Sequence, residues 1–437
     1  MSEAAAFSWR RAAAVYLDRR QILIFAMGFG SGLPLLLTLS TLTYWLGKVG
    51  IDKTSIGLML LTGVPYTWKF LWSPIIDSID FPILGRVFGR RRGWALATQL
   101  PLMAAIVWMG QTDPATDPLP TALAALAVAF FSASQDIVID AIRIELLTKE
   151  EQGAGAAMTQ AGYRIGLLVA GAGAIAAADF LPWPTIFFGL AGLMSIGMVA
   201  VLLAPEPAAP KRAAVEHFSG WLRMAVIDPF GDFLMRRSWL AIMLFVLLYK
   251  FGDAIGGSMA NVFYGEMGFS GVEIATITKL FGVIATMAGI FTGGVLVARL
   301  GLFGSLLVGG ILQALANLMF AVQATVGHDI GVLTASIAID NFTGGLGSAA
   351  FVAYLSALTR RQFTATQYAL LSSLFAFGRT VLSSSGGWLA AQLDWAPFFV
   401  ATTVLAIPGL ALLWWLRSFS DSELQTPPKP APPSPHR

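Results

Sequence analysis

Twelve apolar segments, each long enough to cross a lipid bilayer, dominate this sequence. About 20 apolar residues are needed to cross ~30 Å of hydrocarbon. The segments fall at 21–46, 54–77, 94–110, 119–143, 153–179 and 184–203, and then at 238–264, 272–298, 302–323, 330–358, 365–392 and 395–417. We number them spans 1 to 12 and predict that each is a transmembrane α-helix.

The composition supports this interpretation and excludes several classes of function. Of 437 residues, 56% are hydrophobic and only 12% are charged, which does not fit one aqueous globular domain. The chain has no cysteine and only three histidines, so disulfides and cysteine metal sites are excluded and a metalloenzyme is disfavoured. We therefore predict no metal and no cofactor. The formal net charge of +3 does not suggest a nucleic-acid partner.

The positions of Lys and Arg near the span ends predict the orientation. Arg19 and Arg20 precede span 1, and GRVFGRRRG follows span 2, whereas the loops at the other ends of the spans contain only Lys48 and Lys53. We call the first side the basic side. Positively charged loops face the cytoplasm, so both termini are predicted to be cytoplasmic. Span 1 contains Gly and Pro and is too long for a cleavable signal, so we expect it to be retained.

The spans are predicted to form an all-α membrane protein built from two pseudo-symmetric six-helix bundles. FGSGLP in span 1 matches FGDAIGG in span 7, and YRIGLLVAGAGA in span 5 matches FGRTVLSSSGG in span 11, which aligns Arg164 with Arg379. Such repeats are typical of transporters whose halves move about a central site, so we expect alternating access.

The predicted domains follow from these spans. They are a cytoplasmic segment at 1–20, bundles at 21–204 and 238–417, a cytoplasmic linker at 205–237 and a disordered Pro-rich tail at 418–437. The linker places Phe218, Leu222 and Ala225 on one helical face, which favours an interfacial helix over a solvated connector.

Span 4 contains charges that an apolar helix would not carry without a reason. Asp136, Asp140 and Arg143 share one helical stripe, with Glu145 close behind. Asp140, Arg143 and Glu145 fall at the cytoplasmic boundary, where one interpretation is an ion-pair network that closes an inner gate. Gln135 and Asp136 lie deeper. Inserting a carboxylate into the membrane at that depth costs ~2.5–3.5 kcal/mol of free energy, which is tolerated beside a watery cavity or a partner.

Other spans place ionisable residues at similar depth. Arg164, Lys250, Asp253, Asp340 and Arg379 fall near the midplane, and Lys69 and Lys279 have no acid three or four residues away on their own helices. Lys250 and Asp253 either form a self-neutralising pair or contact substrate, and Lys69 could instead extend to the boundary. The nearby aromatic residues either stack on a sugar ring or only pack; they are Tyr66, Trp68, Tyr163 and Tyr249.

A cavity lined by several cations and buried acids suits an anionic, polar solute that is carried together with protons. We predict Asp136 as the first candidate for proton coupling, followed by Asp253 and Asp140.

A set of motifs resembles one family. Asp77 followed by GRVFGRRRG, with Arg90, Arg91 and Arg92, resembles the loop signature of the major facilitator superfamily. GFGSGLPLLL, KFLWSPIID, SASQDIVIDA, EEQGAGAA, GYRIG, LAPEP, LYKFGDA and ATQYALLSSL together resemble the AmpG muropeptide permeases from about residue 21 to 417. Some members continue into two further spans, whereas this chain has the Pro-rich tail.

The resemblance implies proton-driven import of N-acetylglucosaminyl-1,6-anhydro-N-acetylmuramyl peptides across a bacterial inner membrane. This transport serves peptidoglycan recycling and, indirectly, β-lactamase induction. The residues to which the resemblance points are Gly30, Gly32, Lys69, Gln135, Asp136, Asp140, Arg164, Lys250, Asp253, Lys279 and Arg379. A muropeptide offers carboxylates to Arg and Lys, amides to Gln135 and Asn341, and sugar faces to aromatic residues.

We therefore predict a secondary active transporter, not an enzyme, which acts as a monomer in the bilayer with protons and an anhydro-muropeptide as its partners. One alternative is a related carrier for another large anion such as an acyl-coenzyme A. A more distant alternative is a membrane-embedded glycolipid transferase, for which the short outer loops offer little site chemistry beyond His328.

Overall fold

The computed structural model describes residues 14–208, 217–236 and 238–418, apart from the side chains of Phe218, Lys279 and Leu280. All regular elements within these residues are helices, which confirms the predicted all-α fold. Residues 1–13 of the predicted N-terminal segment at 1–20 and residues 419–437 of the predicted tail at 418–437 lie outside the described residues.

The first half contains spans 1 to 6. Span 1 consists of Arg19–Leu37 and Ser40–Lys48, and span 2 is a broken run from Lys53–Met59 to Ser73–Ser78. Span 3 is Arg90–Gln111, and span 4 is Pro118–Leu146. Span 5 runs from Gln152–Leu168 through Val169–Gly173 to Ala174–Ala177, and span 6 is Trp183–Leu203. Each begins and ends within a few residues of the predicted segment.

The second half contains spans 7 to 12. Span 7 consists of Trp239–Leu248 and Phe251–Glu266. Spans 8 and 9 run from Gly271–Ile277 through Thr278–Gly282 into Val283–Val326, and span 10 is Ile330–Ala357. Span 11 consists of Thr364–Ser383 and Ser385–Gln392, and span 12 of Trp395–Val404 and Ile407–Leu416. Spans 8 and 9 share the run Val283–Val326 but are separated at Gly301, whose φ of 71° is non-helical. Glycine adopts this conformation without a steric penalty, so the sharp turn falls between the two predicted segments.

Seven helical runs among the described residues are long and apolar enough to cross a membrane by length and composition. The other spans are interrupted or less apolar. Span 2 is the most irregular, because it consists of short α-helical and 3₁₀ pieces. Span 7 is interrupted between Leu248 and Phe251, which places Lys250 at the N-cap of its second piece and Asp253 in the first turn. A carboxylate is favoured at this end of a helix by the helix dipole.

Close backbone contacts join the helices within each half. A Cβ added to Gly32 in span 1 would lie 2.1 Å from the carbonyl oxygen of Tyr163 in span 5, and one added to Gly289 in span 8 would lie 1.9 Å from that of Phe342 in span 10. Only small residues allow transmembrane helices to approach so closely. Spans 1 and 5, and likewise spans 8 and 10, therefore pack backbone to backbone beside the interface between the halves.

The linker forms a helix that contacts both halves on the basic side. It runs through Phe218–Leu222, Arg223–Ile227 and Asp228–Leu234. Trp221 donates a hydrogen bond to the Ser78 hydroxyl in the first half (3.1 Å), and Phe233 is buried in the core of the second half. On the predicted apolar face, Ala225 is buried but Leu222 is 41% exposed. The interfacial position of this helix remains a prediction.

Candidate substrate cavity

A cavity of about 680 Å³ lies between the two halves. Its ionisable lining residues come from both halves: Lys69, Asp136, Asp140 and Arg164 from the first, and Lys250, Asp253, Asp340 and Arg379 from the second. Tyr163 and Asn341 also line it. The structure thus brings together most of the ionisable residues that the sequence marked in separate spans.

A second cavity of about 630 Å³ continues from the first toward the side opposite the basic one. The two cavities share Arg164 and Asn341. The second extends to Asp179 at the end of span 5 and to Thr278 near the start of span 8. The joined space therefore leads away from the basic side.

On the basic side, Arg143 closes the cavity by contacts across the halves. It pairs with Asp140 on its own helix (Nη2–Oδ1 3.2 Å) and donates to the Ser356 hydroxyl of span 10 (2.9 Å). Its guanidinium also lies 5.4 Å from the ring centre of Tyr368 in span 11, which is within the range of a cation–π interaction. Arg143 is 1% exposed, so its guanidinium is buried at this closure.

A second buried cluster joins the halves through Asp77. Arg91 pairs with Asp77 (Nη2–Oδ1 2.7 Å) and with Glu145, and Arg90 pairs with Glu145 (3.2 Å). The other oxygen of Asp77 accepts from the backbone N–H (3.1 Å) and the hydroxyl (3.2 Å) of Thr366 in span 11. Asp77 thereby caps the first turn of a helix in the opposite half, where an anion is stabilised by free N–H groups. This geometry supports the interpretation of an ion-pair network that closes a gate.

Two polar clusters on the basic side were missed by the sequence analysis. In the first, Glu206 of the LAPEP motif accepts from the backbone N–H groups of Arg91 (2.7 Å) and Arg92 (3.2 Å), and so caps span 3. Arg92 also pairs with Glu206 (3.4 Å). In the sequence, only the LAPEP motif indicated that Glu206 has a specific role.

The second missed cluster joins the linker helix to the loop between spans 10 and 11. Asp232 pairs with Arg236 (3.1 Å) and Arg360, and accepts from Gln367 (2.9 Å). Arg236 also donates to the carbonyl of Leu358 (2.8 Å). Asp232 and Arg236 have the i,i+4 spacing of a helical ion pair, but no spacing reveals their contacts with Arg360 and Gln367, which belong to other segments.

In the second half, the predicted pairing of Lys250 and Asp253 is present (Nζ–Oδ2 3.2 Å). Both residues nevertheless line the cavity, so the pair is available to a solute. Asp340 accepts a hydrogen bond from Gln313 of span 9 (2.8 Å). Asn341 accepts one from Thr286 of span 8 (2.9 Å), which orients its amide at the cavity wall.

In the first half, Asp136 and Lys69 line the same cavity from spans 4 and 2. Oδ1 of Asp136 is buried without a hydrogen-bond partner among the described residues. Lys69 is 8% exposed and belongs to the cavity lining. The ammonium is thus directed inward and is not drawn out to the boundary.

Several residues that the sequence marked as contacts do not line the cavity. Gly30 and Gly32 are at helix contacts, where the missing side chain permits close packing against spans 6 and 5. Gln135 is fully buried and donates to the carbonyl of Gly30 (3.1 Å), so it joins span 4 to span 1.

Of the four aromatic residues that the sequence marked as possible contacts, one lines the cavity and the other three do not. Tyr66 and Trp68 are outside the cavity lining. Tyr249 stacks on Phe351 at 5.3 Å and is 6% exposed, so it packs in the core. Tyr163 is the one predicted aromatic contact that lines the cavity among the described residues. The side chain of Lys279 is outside the described set, although its backbone belongs to Thr278–Gly282.

Arg164 and Arg379 are the most distinctive cations of the cavity. Both are exposed to its interior, one from each half, at the positions that the internal repeat aligns. Within the described part of the chain, neither forms an ion pair, whereas Lys250 and Arg143 each have a carboxylate at 3.2 Å. Two guanidinium groups that face a cavity without ion-pair partners among the described residues can bind carboxylates of a solute through paired hydrogen bonds. The described residues contain no group of His, Asp and Glu that could hold a metal ion.

Comparison with known proteins places these features in a family. The family model of the Major Facilitator Superfamily matches residues 22–327. The anhydromuropeptide permease of Escherichia coli (strain K12) is 40% identical over 405 residues, covering 91% of this chain and 80% of that protein. The putative transporter AmpG 4 of Rickettsia felis is 33% identical, covering 92% and 97% of the two chains.

Solved structures agree on the fold. The human organic anion transporter MFSD10 superposes with a TM-score of 0.64 at 14% identity, covering 93% of this chain and 99% of that one. The proton:xylose symporter XylE superposes with a TM-score of 0.65 at 11% identity, covering 95% and 98%. The predicted fold and the prediction of a transporter rather than an enzyme are both confirmed. This chain is an integral membrane permease that belongs to the AmpG family of the Major Facilitator Superfamily.

Proposed function

We propose that this permease imports N-acetylglucosaminyl-1,6-anhydro-N-acetylmuramyl peptides from the periplasm into the cytoplasm, driven by protons, as one step of peptidoglycan recycling. The E. coli relative is an anhydromuropeptide permease, and a muropeptide combines sugar rings, amides and several carboxylates. The protein acts as a monomer in the bacterial inner membrane. Both termini and the basic side face the cytoplasm, in accordance with the distribution of Lys and Arg.

The observation that carries this proposal is the pair Arg164 and Arg379. The two guanidinium groups face one cavity from opposite halves without carboxylate partners among the described residues. A peptide with carboxylates at two positions can bridge them, and a solute that contacts both halves can stabilise the movement from one open state to the other. Asn341, Tyr163, Lys69 and the Lys250–Asp253 pair provide the remaining polar contacts.

Proton coupling is assigned to the cavity acids, and Asp136 is the first candidate. Its Oδ1 lacks a hydrogen-bond partner within the described structure, and its carboxyl group faces the cavity. Asp140 and Asp253 already form ion pairs with Arg143 and Lys250, whereas Asp136 has no ion pair among the described residues. One proton gains ~2.3 kcal/mol from ~100 mV and ~1.4 kcal/mol from one pH unit, which together support accumulation of about 500-fold.

Alternating access follows from the contacts on the basic side. In this structure the cavity leads toward the opposite side, which is periplasmic in the proposed orientation. Opening toward the cytoplasm requires that Arg143 separate from Ser356 and that Asp77 separate from Thr366. Substrate and proton binding must together offset the loss of these contacts.

The decisive experiment is counterflow in proteoliposomes with labelled anhydro-muropeptide, with and without an imposed pH gradient. We expect uptake against unlabelled substrate, and accumulation when the outside is acidic. Arg164→Ala and Arg379→Ala should each weaken competition by the unlabelled muropeptide, whereas Arg19→Ala, which changes an exposed residue outside the cavity, should not. Coenzyme A thioesters that compete better than muropeptide would instead support the alternative carrier function. Absence of counterflow by the wild-type protein would refute the proposal.

A further inference from the structure

Four carboxyl groups line the cavity, and they differ in what neutralises them. Asp140 and Asp253 each have a cation at 3.2 Å. Asp136 and Asp340 have no cation within ion-pair distance in the described structure. Asp340 instead accepts a hydrogen bond from a neutral amide, that of Gln313 (2.8 Å). Asp340 is therefore the one cavity acid of the second half without a dedicated positive charge among the described residues.

The amide partner suits a carboxyl group that changes its protonation state. Gln313 is 5% exposed, and its Oε1 has no hydrogen-bond partner among the described residues. An amide can donate through nitrogen to a carboxylate, or accept through oxygen from a carboxylic acid after turning by half a rotation. The same residue can therefore satisfy Asp340 with or without a proton. A lysine or arginine partner could satisfy only the ionised form.

The neighbouring charges couple Asp340 to Asp253. The ionisable and polar groups that line the cavity with Asp340 in this half include Lys250, Asp253 and Tyr264 from span 7 and Gln313 from span 9. The ammonium of Lys250 lies 3.2 Å from Asp253 and 3.4 Å from the carbonyl oxygen of Gly344, which is one helical turn after Asp340 in span 10. One cation thus lies between two helices that each carry a carboxyl group.

We propose that Asp340 carries a proton in the transport cycle and that Lys250 is the shared counter-ion of Asp253 and Asp340. With Asp340 protonated, Lys250 and Asp253 neutralise each other and the group has no net charge. After Asp340 releases its proton, two carboxylates share one ammonium, and the net negative charge disfavours an anionic solute. Proton binding and anion binding in the cavity are therefore positively coupled, and the coupling is reciprocal.

The proton balance of this step is simple. Asp340 takes a proton from water when the cavity opens to one side, and it returns that proton to water when the cavity opens to the other side. No other reactant is required. The proposal rests on the proposed import function. That function requires a group that carries a proton, but it does not by itself identify Asp340 as such a group.

Asp340→Asn tests the proposal, because asparagine resembles the protonated carboxyl group and cannot release a proton. Purified protein in proteoliposomes would be compared with Asp329→Asn, which changes the same residue type at the N-cap of the same helix, outside the cavity. We expect Asp340→Asn to lower accumulation under an imposed pH gradient at least tenfold, and to lower counterflow far less. We also expect the apparent affinity for muropeptide to depend less on pH than in the wild type, whereas Asp329→Asn should behave like the wild type.

The results distinguish failure of the proposed import function from failure of the inference about Asp340. If the wild-type protein shows no counterflow, the proposed function fails, whatever Asp340 does. If the wild type works and Asp340→Asn accumulates substrate with an unchanged proton uptake per substrate, measured with an internal pH dye, the inference is wrong. If Asp340→Asn does not assemble, Asp340→Glu is the second test. It should accumulate substrate with a shifted pH profile, and an unshifted profile would overturn the inference.

Discussion

Thr366→Val is expected to weaken the closure of the basic side by a predictable amount. The Thr366 hydroxyl donates to Asp77 at 3.2 Å, and both residues are buried, with exposures of 1% and 4%. The bond joins span 11 of one half to span 2 of the other, so opening of the basic side must break it. Valine has nearly the same shape but lacks the hydroxyl.

The magnitude follows from the charge of the acceptor. A hydrogen bond to a charged group contributes about 1.5–3 kcal/mol, whereas one between neutral groups contributes about 1 kcal/mol. The backbone N–H of Thr366 still donates to Asp77 in the variant, so the lower end of the range applies. A loss of about 1.5 kcal/mol raises the ratio of open to closed basic side about tenfold.

Spin labels can be attached at chosen positions because the chain contains no native cysteine. Spin labels at Lys149→Cys and Arg361→Cys, both exposed on the basic side in different halves, report the separation of the halves by pulsed electron–electron distance measurement. We expect Thr366→Val to increase the population at long distance about tenfold relative to the closed population.

Thr364→Val is the matched control. Its hydroxyl donates to the carbonyls of Arg360 and Arg361 within its own segment (3.3 Å each) and not across the halves. The control removes only a local hydrogen bond, so its distance distribution should match that of the unsubstituted protein. Identical distributions for Thr366→Val and Thr364→Val would refute the reasoning that Asp77 and Thr366 close the gate.

Three further predictions concern single sites. Asp136→Asn should abolish accumulation under a pH gradient while exchange of pre-loaded substrate continues; normal accumulation would remove Asp136 from proton coupling. Arg164→Ala and Arg379→Ala should weaken competition by peptide-bearing substrate more than by the bare disaccharide, and equal losses would indicate a structural role. Gly32→Val should lower the melting temperature in detergent strongly, because its Cβ would lie 2.1 Å from a backbone oxygen. Gly189→Ala, where a Cβ meets nothing within 4 Å, should leave the melting temperature nearly unchanged.

Much of the cavity could be predicted from charges in apolar spans. Arg164, Lys250, Asp253 and Arg379 all line it, because a charge at membrane depth is tolerated only beside water or a partner. The same argument placed Asp340 near the midplane. It did not show that Asp253 has a lysine partner while Asp340 has an amide, since Gln313 belongs to another span.

Three of the predicted contacts lie outside the cavity lining for one physical reason. Gly30, Gly32 and Gln135 stand beside cavity residues in the sequence, yet they face neighbouring helices. On a helix, adjacent residues point about 100° apart, so proximity in sequence does not mean a shared face. The capping of span 3 by Glu206 was missed for a related reason, since more than 100 residues separate the cap from its helix.

The sequence by itself determined the twelve membrane helices, their order and the basic side, because the cost of exposing polar groups to hydrocarbon acts on each segment separately. Only the tertiary structure decided which polar partner each charged residue contacts: Thr366 for Asp77, Ser356 for Arg143, and Gln313 for Asp340. Those contacts depend on how one helix rotates against another, and that rotation is fixed by the packing of small residues between the helices.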